Sequence, residues 1–89
     1  MDRHIIIRGK RYKLKYRRLP PDEFGRCDAP DAADKAIHIR KGIKGRQELD
    51  TLIHEMLHAA LWDLDEMAIH DTAHDIALAL WRIGYRKHP

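Results

Sequence analysis

Two histidines four residues apart, with a glutamate directly after the first, carry the chemistry of this chain. His54-Glu55-Met56-Leu57-His58 reads H-E-x-x-H inside TLIHEMLHAALW. Residues four apart share one face of an α-helix, so the imidazoles of His54 and His58 can meet at a single Zn²⁺. Glu55 is turned about 100° from His54. Its carboxylate then falls beside the open position of the metal, not on it, where it can act as a base toward water.

That geometry needs a helix. Leu49, Leu52, Ile53, Met56, Leu57, Ala60 and Leu61 recur at helical period and bracket the histidines. Gly45 ends the preceding loop, and no proline falls between Arg46 and Trp62. The pattern predicts a helix from about Arg46 to Trp62. A second helix is predicted from about Glu66 to Gly84, with Asp65 as N-cap and Gly84 as stop. Its core stripe is Ile69, Ala73, Ile76, Leu80 and Ile83, with Ala77 and Trp81 on the flank.

A catalytic zinc takes three protein ligands and keeps one position open. The short Asp63-Leu64-Asp65 connection makes the two helices adjacent and antiparallel. Counting along both helices sets residues 69 to 74 at the level of the histidines. Among Glu66, His70, Asp71 and His74, helical phase favours His70 as the third ligand, with His74 and Glu66 as alternatives and Asp71 turned farther toward solvent. His74 points farther toward solvent, and Glu66 sits low, at the helix start. Asp63, Asp65, Asp71 and Asp75 are candidate acceptors for the ligand imidazoles.

Ahead of the helices, His4–Arg8 and Tyr12–Arg17 read as strands joined by a turn at Gly9-Lys10, and Ala36–Arg40 reads as a third. Asp22–Asp34, rich in Pro, Asp and Gly, reads as loop. The expected fold is α+β: a three-stranded antiparallel sheet packed on a two-helix hairpin, with residues 1–89 forming one domain. Net charge is +3, and the excess is local: Arg3, Arg8, Lys10, Arg11, Lys13, Lys15, Arg17 and Arg18 crowd the start of the chain. In the second strand the cations alternate with Tyr12, Leu14 and Tyr16, as on a solvated strand face; contact with nucleic acid is the other reading. Cys27 is the only cysteine, which excludes an internal disulfide and suits an ordinary thiol. No apolar run approaches the ~18 residues of a membrane span, and the first residues lack the apolar region of a signal peptide. A cytoplasmic protein is the expectation.

The stretch LDTLIHEMLHAALWDLDEMAIHDTAHDIALALWRIGYR, roughly Leu49 to Arg86, resembles the zincin metallopeptidases. It looks most like the short SprT-like or gluzincin-like proteins of phages and prophages. H-E-x-x-H is the specific part, strengthened by the following W-D-L-D-E and the closing L-W-R-I-G-Y-R. Relatives tend to carry Glu where His70 stands, which leaves the third ligand open between the two types. The resemblance implies a peptide bound along an edge strand beside the metal helix, for which Ala36–Arg40 is the candidate. It also implies a donor to the oxyanion, for which His38, His74 and Tyr85 are candidates.

The leading expectation is therefore a zinc-dependent peptidase with one Zn²⁺ on His54, His58 and His70, and Glu55 as the base in attack of metal-bound water on a peptide or protein substrate. Two alternatives stand beside it. One is a non-catalytic zinc module, since a chain of 89 residues has little wall for a deep cleft. The other is a nucleic-acid-associated SprT-like protein.

Overall fold

The structure, a computed structural model, describes residues 3–88. Among these residues six elements follow one another: β1 (Arg3–Ile7), β2 (Lys10–Arg17), β3 (Gly25–Cys27), β4 (Ala36–Arg40), α1 (Gly45–Ala60) and α2 (Glu66–Arg82). β1 and β2 form an antiparallel hairpin with Ile5 opposite Tyr12 and Ile7 opposite Lys10. The turn is Arg8-Gly9, one residue earlier than the sequence suggested. Both residues have positive φ, 51° and 78°, as a two-residue hairpin turn that follows the strand twist requires.

The sheet differs from the expected three-stranded antiparallel one. It has four strands in the order β1-β2-β4-β3, and β4 runs parallel to β2, with Leu14 beside Ile37 and Tyr16 beside Ile39. Residues 18–35 carry the chain back along the sheet, so β4 enters beside β2 in the same direction. Within that return Gly25–Cys27 pairs antiparallel to β4. Three residues with a glycine in a Pro/Asp-rich stretch give no alternating pattern, which is why this strand could not be read from the sequence. The α+β class stands.

One side of the sheet is covered by α1, which packs against β1, β3 and β4; among the described elements α2 packs on α1 alone. Tyr12, Ile37, Ile39 and Ile69 are fully buried, and Ile7, Leu14 and Ala59 are among the other buried apolar residues. The buried stripe of α2 is Ile69, Ala73 and Ala77, not the broader stripe expected: Ile76 and Ile83 are exposed. With only one helix to pack on, α2 buries a narrow row, and its two alanines let the backbones approach closely. The helices run antiparallel, since the start of α2 meets the middle of α1 while Trp81 reaches Gly45.

Both ends of α2 follow local rules. Asp65 caps the start, its carboxylate accepting from the Ala68 amide at 2.9 Å. At the other end Gly84, at φ 99°, allows the Gly84 amide to reach the Trp81 carbonyl and the Tyr85 amide to reach the Leu80 carbonyl. Among the described residues no helix is long and apolar enough to cross a membrane.

Candidate metal centre

His54 and His58 stand one turn apart on α1, and their Nε2 atoms lie 3.2 Å from each other. The carboxylate of Glu66, the first residue of α2, faces both. Its Oε1 is 3.1 Å from His54 Nε2 and its Oε2 is 3.0 Å from His58 Nε2. Bonds of about 2.0–2.1 Å at tetrahedral angles set ligand atoms roughly 3.3 Å apart. Each Glu66 oxygen faces a different imidazole, and one donor atom from each of the three residues lies within 4.8 Å of the others; two imidazoles with a carboxylate are a zinc-type donor set. They are a possible metal site; the identity of the ion is not fixed by the donors alone.

The electrostatics suit that role. Burial lowers the pKa of His54, more than the neighbouring Glu66 carboxylate restores it, and the His58 charge lowers it further. A neutral imidazole is the form that binds a metal. Both histidine side chains are largely covered, whereas Glu66 is 70% exposed and closes the group from the solvent side.

His70 stands outside this group. Its ring centroid lies 6.3 Å from that of His54, and its side chain is 69% exposed, with Nδ1 3.6 Å from Asp71. The helix count placed residues 69 to 74 at the level of the histidines, and His70 does stand beside His54. The turn through Leu61 and Leu64 starts α2 at Glu66. From that first turn the longer Glu66 side chain reaches both imidazoles, while the His70 ring stays apart from them. His74 lies farther along, 3.5 Å from Asp50.

Glu55 is buried, at 7% exposure, and is not one of the three converging donors. The most buried positions of α1 are Glu48, Thr51, Glu55 and Ala59, one stripe at helical spacing. Thr51 and Glu55 on that stripe are covered by β3. A Cβ placed on Gly25 would lie 2.8 Å from both Glu55 Oε2 and Thr51 Cγ2. Burial, then the Glu66 and Glu23 carboxylates, push the Glu55 carboxyl up to about 7. Glu55 and His54 line a cleft of about 440 Å³ together with Phe24, Gly25, Asp50 and His70. Gly25 is thus a residue of the site that sequence reasoning missed; a glycine in a loop carries no signal until the strand it belongs to is seen.

Ala36–Arg40 is not an edge. It lies between β2 and β3, and four of its five residues are buried. The open edge beside α1 is β3. The Arg40 amide bonds to the Phe24 carbonyl and the Asp28 amide to the Ala36 carbonyl. Residues 24 and 28 therefore aim at β4, and Gly25 and Cys27 present their backbone groups outward. Among the three candidate oxyanion donors, His38 is buried on the far face of the sheet, 3.5 Å from Asp28. Tyr85 lies past the far end of α2. His74 is the one near the cleft, through Asp50. Burial first, then the Glu55 and Asp28 charges, push the Cys27 thiol up to about 12, so it is no nucleophile at neutral pH.

Compared with models of known protein families, with curated proteins and with solved structures, the chain matches none.

Proposed function

We propose that the protein is a metal-dependent peptide hydrolase in which His54, His58 and Glu66 hold one divalent ion, most simply Zn²⁺, and Glu55 is the general base. One observation carries the reading: three metal-type donors converge between α1 and α2, while the residue after the first histidine is a buried carboxylate lining the adjoining cleft. The resemblance of the H-E-x-x-H helix to the zincins agrees with it. A bound ion would supply an electrophile that polarises the scissile carbonyl and acidifies water.

The chain's own residues do the rest. Glu55 takes a proton from the attacking water and returns it to the leaving amine; burial, which raises its carboxyl, favours a group that can both accept and give a proton. The outward backbone groups of Gly25 and Cys27 offer main-chain hydrogen bonds to an extended peptide, a mode with little sequence preference. The test is metal content and peptide hydrolysis for the parent and for Glu55→Gln. Retained metal with lost turnover supports the reading. Equal turnover in the variant removes Glu55 from the mechanism, and no metal after reconstitution removes the whole reading.

A second reading, contact with nucleic acid, rests on a different surface. Arg11, Lys13, Lys15 and Arg17 alternate with the buried Tyr12 and Leu14, so they share the sheet face turned away from the helices. Successive cations on one strand face are about 6.7 Å apart. None forms a salt bridge among the described residues, though the Arg17 charge is felt by Glu23. If all four contact phosphates of duplex DNA, the logarithm of the binding constant should fall with the logarithm of salt concentration with a slope of about −3.6. Binding that ignores salt would dismiss this reading and leave the hydrolase reading untouched.

A further inference from the structure

A second cavity, of about 390 Å³, lies on the other flank of α1 from the candidate metal centre. It is bounded by β2, by the first two turns of α1, by Trp81 near the end of α2, and by the tail at residues 85–87. The volume lies at the small end of the ~300–1,000 Å³ typical of ligand sites. Its walls are aromatic and aliphatic: Tyr16, Trp81 and Tyr85, with Leu14, Leu49 and Leu52.

The polar groups at its margin are unbalanced. Arg3, Arg86 and Lys87 face a single carboxylate, Glu48. That carboxylate is already engaged, accepting at Oε2 from the Tyr16 hydroxyl at 2.7 Å and from Lys87 at 2.9 Å. Arg86 stacks on Trp81 at 3.4 Å and spends only Nη1, on the Trp81 and Tyr85 carbonyls. Its other nitrogens, the Arg3 guanidinium and two protons of Lys87 have no acceptor among the described residues. An apolar hollow with surplus cationic donors at its mouth fits a ligand with a flat apolar body and an anionic head.

We propose that this cavity binds a small aromatic carboxylate, the ring among Trp81, Tyr85 and the leucines and the carboxylate on Arg86 and Lys87. The same chemistry is offered by a free aromatic acid and by a peptide that ends in an aromatic residue.

The experiment is titration of the ¹⁵N-labelled protein with N-acetylphenylalanine, followed by amide and indole resonances. The indole of Trp81 reports the cavity, and that of Trp62, which does not line it, serves as the internal reference. The proposal expects saturable shifts centred on Trp81 and Gly45. It expects about tenfold weaker binding for N-acetylphenylalaninamide, which lacks the charge, and a comparable loss in Arg86→Gln and Lys87→Gln. Leu52→Trp, which fills the hollow, should abolish the shifts. Because Leu52→Trp also loads the core, the exposed Lys87→Gln carries the decision if that variant fails to fold.

Acid and amide binding alike, unchanged affinity in both charge variants, shifts centred on His54 and His58, or no saturable shifts up to millimolar acid would each overturn the proposal. Two further ligands identify the source. A free acid without a peptide group, 2-naphthoate, binding as well as N-acetylphenylalanine assigns the site to small acids. A tetrapeptide ending in phenylalanine binding more tightly than either assigns it to polypeptide ends. Failure of both ligands would also count against the proposal.

Discussion

Gly25 and Glu55 touch so closely that no side chain fits between them: a Cβ at position 25 would stand 2.8 Å from Glu55 Oε2 and 2.9 Å from Glu55 Cγ. The contact fixes the short edge strand β3 over the helix that carries His54 and His58, and it keeps the Glu55 carboxylate buried. Gly25→Ala should therefore cost about 1–3 kcal/mol through overpacking. It should lower any turnover while leaving metal affinity within a few fold, since the close contacts of a side chain at position 25 are to Glu55 and Thr51, not to the three donors. Denaturant unfolding and zinc titration of the same variant check both halves.

Glu66 distinguishes this site from a reading centred on His70. Glu66→Gln should weaken zinc binding by more than the ~10–100-fold typical of losing a partner of a ligand. His70→Ala should change it by less than about tenfold. Competition with a chromogenic chelator measures both; loss of zinc in His70→Ala with retention in Glu66→Gln would move the third ligand to His70.

For catalysis, Glu55→Gln should retain zinc and lower peptide hydrolysis by about 10²–10⁴-fold. A smaller loss would show that the proton is carried by another group.

The same carboxyl predicts a pH dependence of stability in the metal-free protein. Its ordinary value is 4.5, and burial raises it to about 7 in the folded state. The folded chain therefore keeps a proton that the unfolded chain releases, so stability falls as pH rises through this window and levels off above about 7. The full loss is at most about 3 kcal/mol. Glu55→Gln should flatten this slope and be more stable than the parent at pH 8. A parent as stable at pH 8 as at pH 5 would show that the group is not desolvated in solution.

Glu48 has the opposite sign. Burial pushes its carboxyl up, but the hydrogen bonds from Lys87 and Tyr16, with the Lys87 charge, outweigh it and leave the group below its ordinary 4.5. Its contribution is present above that value and is lost as pH falls through the lower folded-state value. Tyr16→Phe, which strips a donor from a nearly buried carboxylate, should cost about 1–3 kcal/mol. Lys87→Gln, at a mostly exposed ammonium, should cost about 1 kcal/mol or less. Urea unfolding of the two variants at neutral pH tests the ranking.

The two helices, the capping aspartate Asp65, the stop at Gly84 and the shared face of His54 and His58 were legible from the sequence alone. Each depends on contacts within a few residues: helical period, side chain to nearby amide, a positive φ at one glycine. The alternation of Tyr12 and Leu14 with lysines likewise marked which strand face would be buried. What only the tertiary structure decided involves partners far apart in the chain. The parallel pairing of β2 with β4, the strand status of Gly25–Cys27, and the burial of Ala36–Arg40 between two neighbours follow from where the return segment crosses the sheet. That the Glu66 carboxylate reaches both histidines while the His70 ring, beside His54, stays apart is set by how α2 packs on α1. A shift of two residues in a helix end changes which side chain of the next helix stands level with it by about 3 Å of rise and 200° of phase. No local pattern specifies a contact to that tolerance; the packing of α2 on α1 through Ile69, Ala73 and Ala77 does.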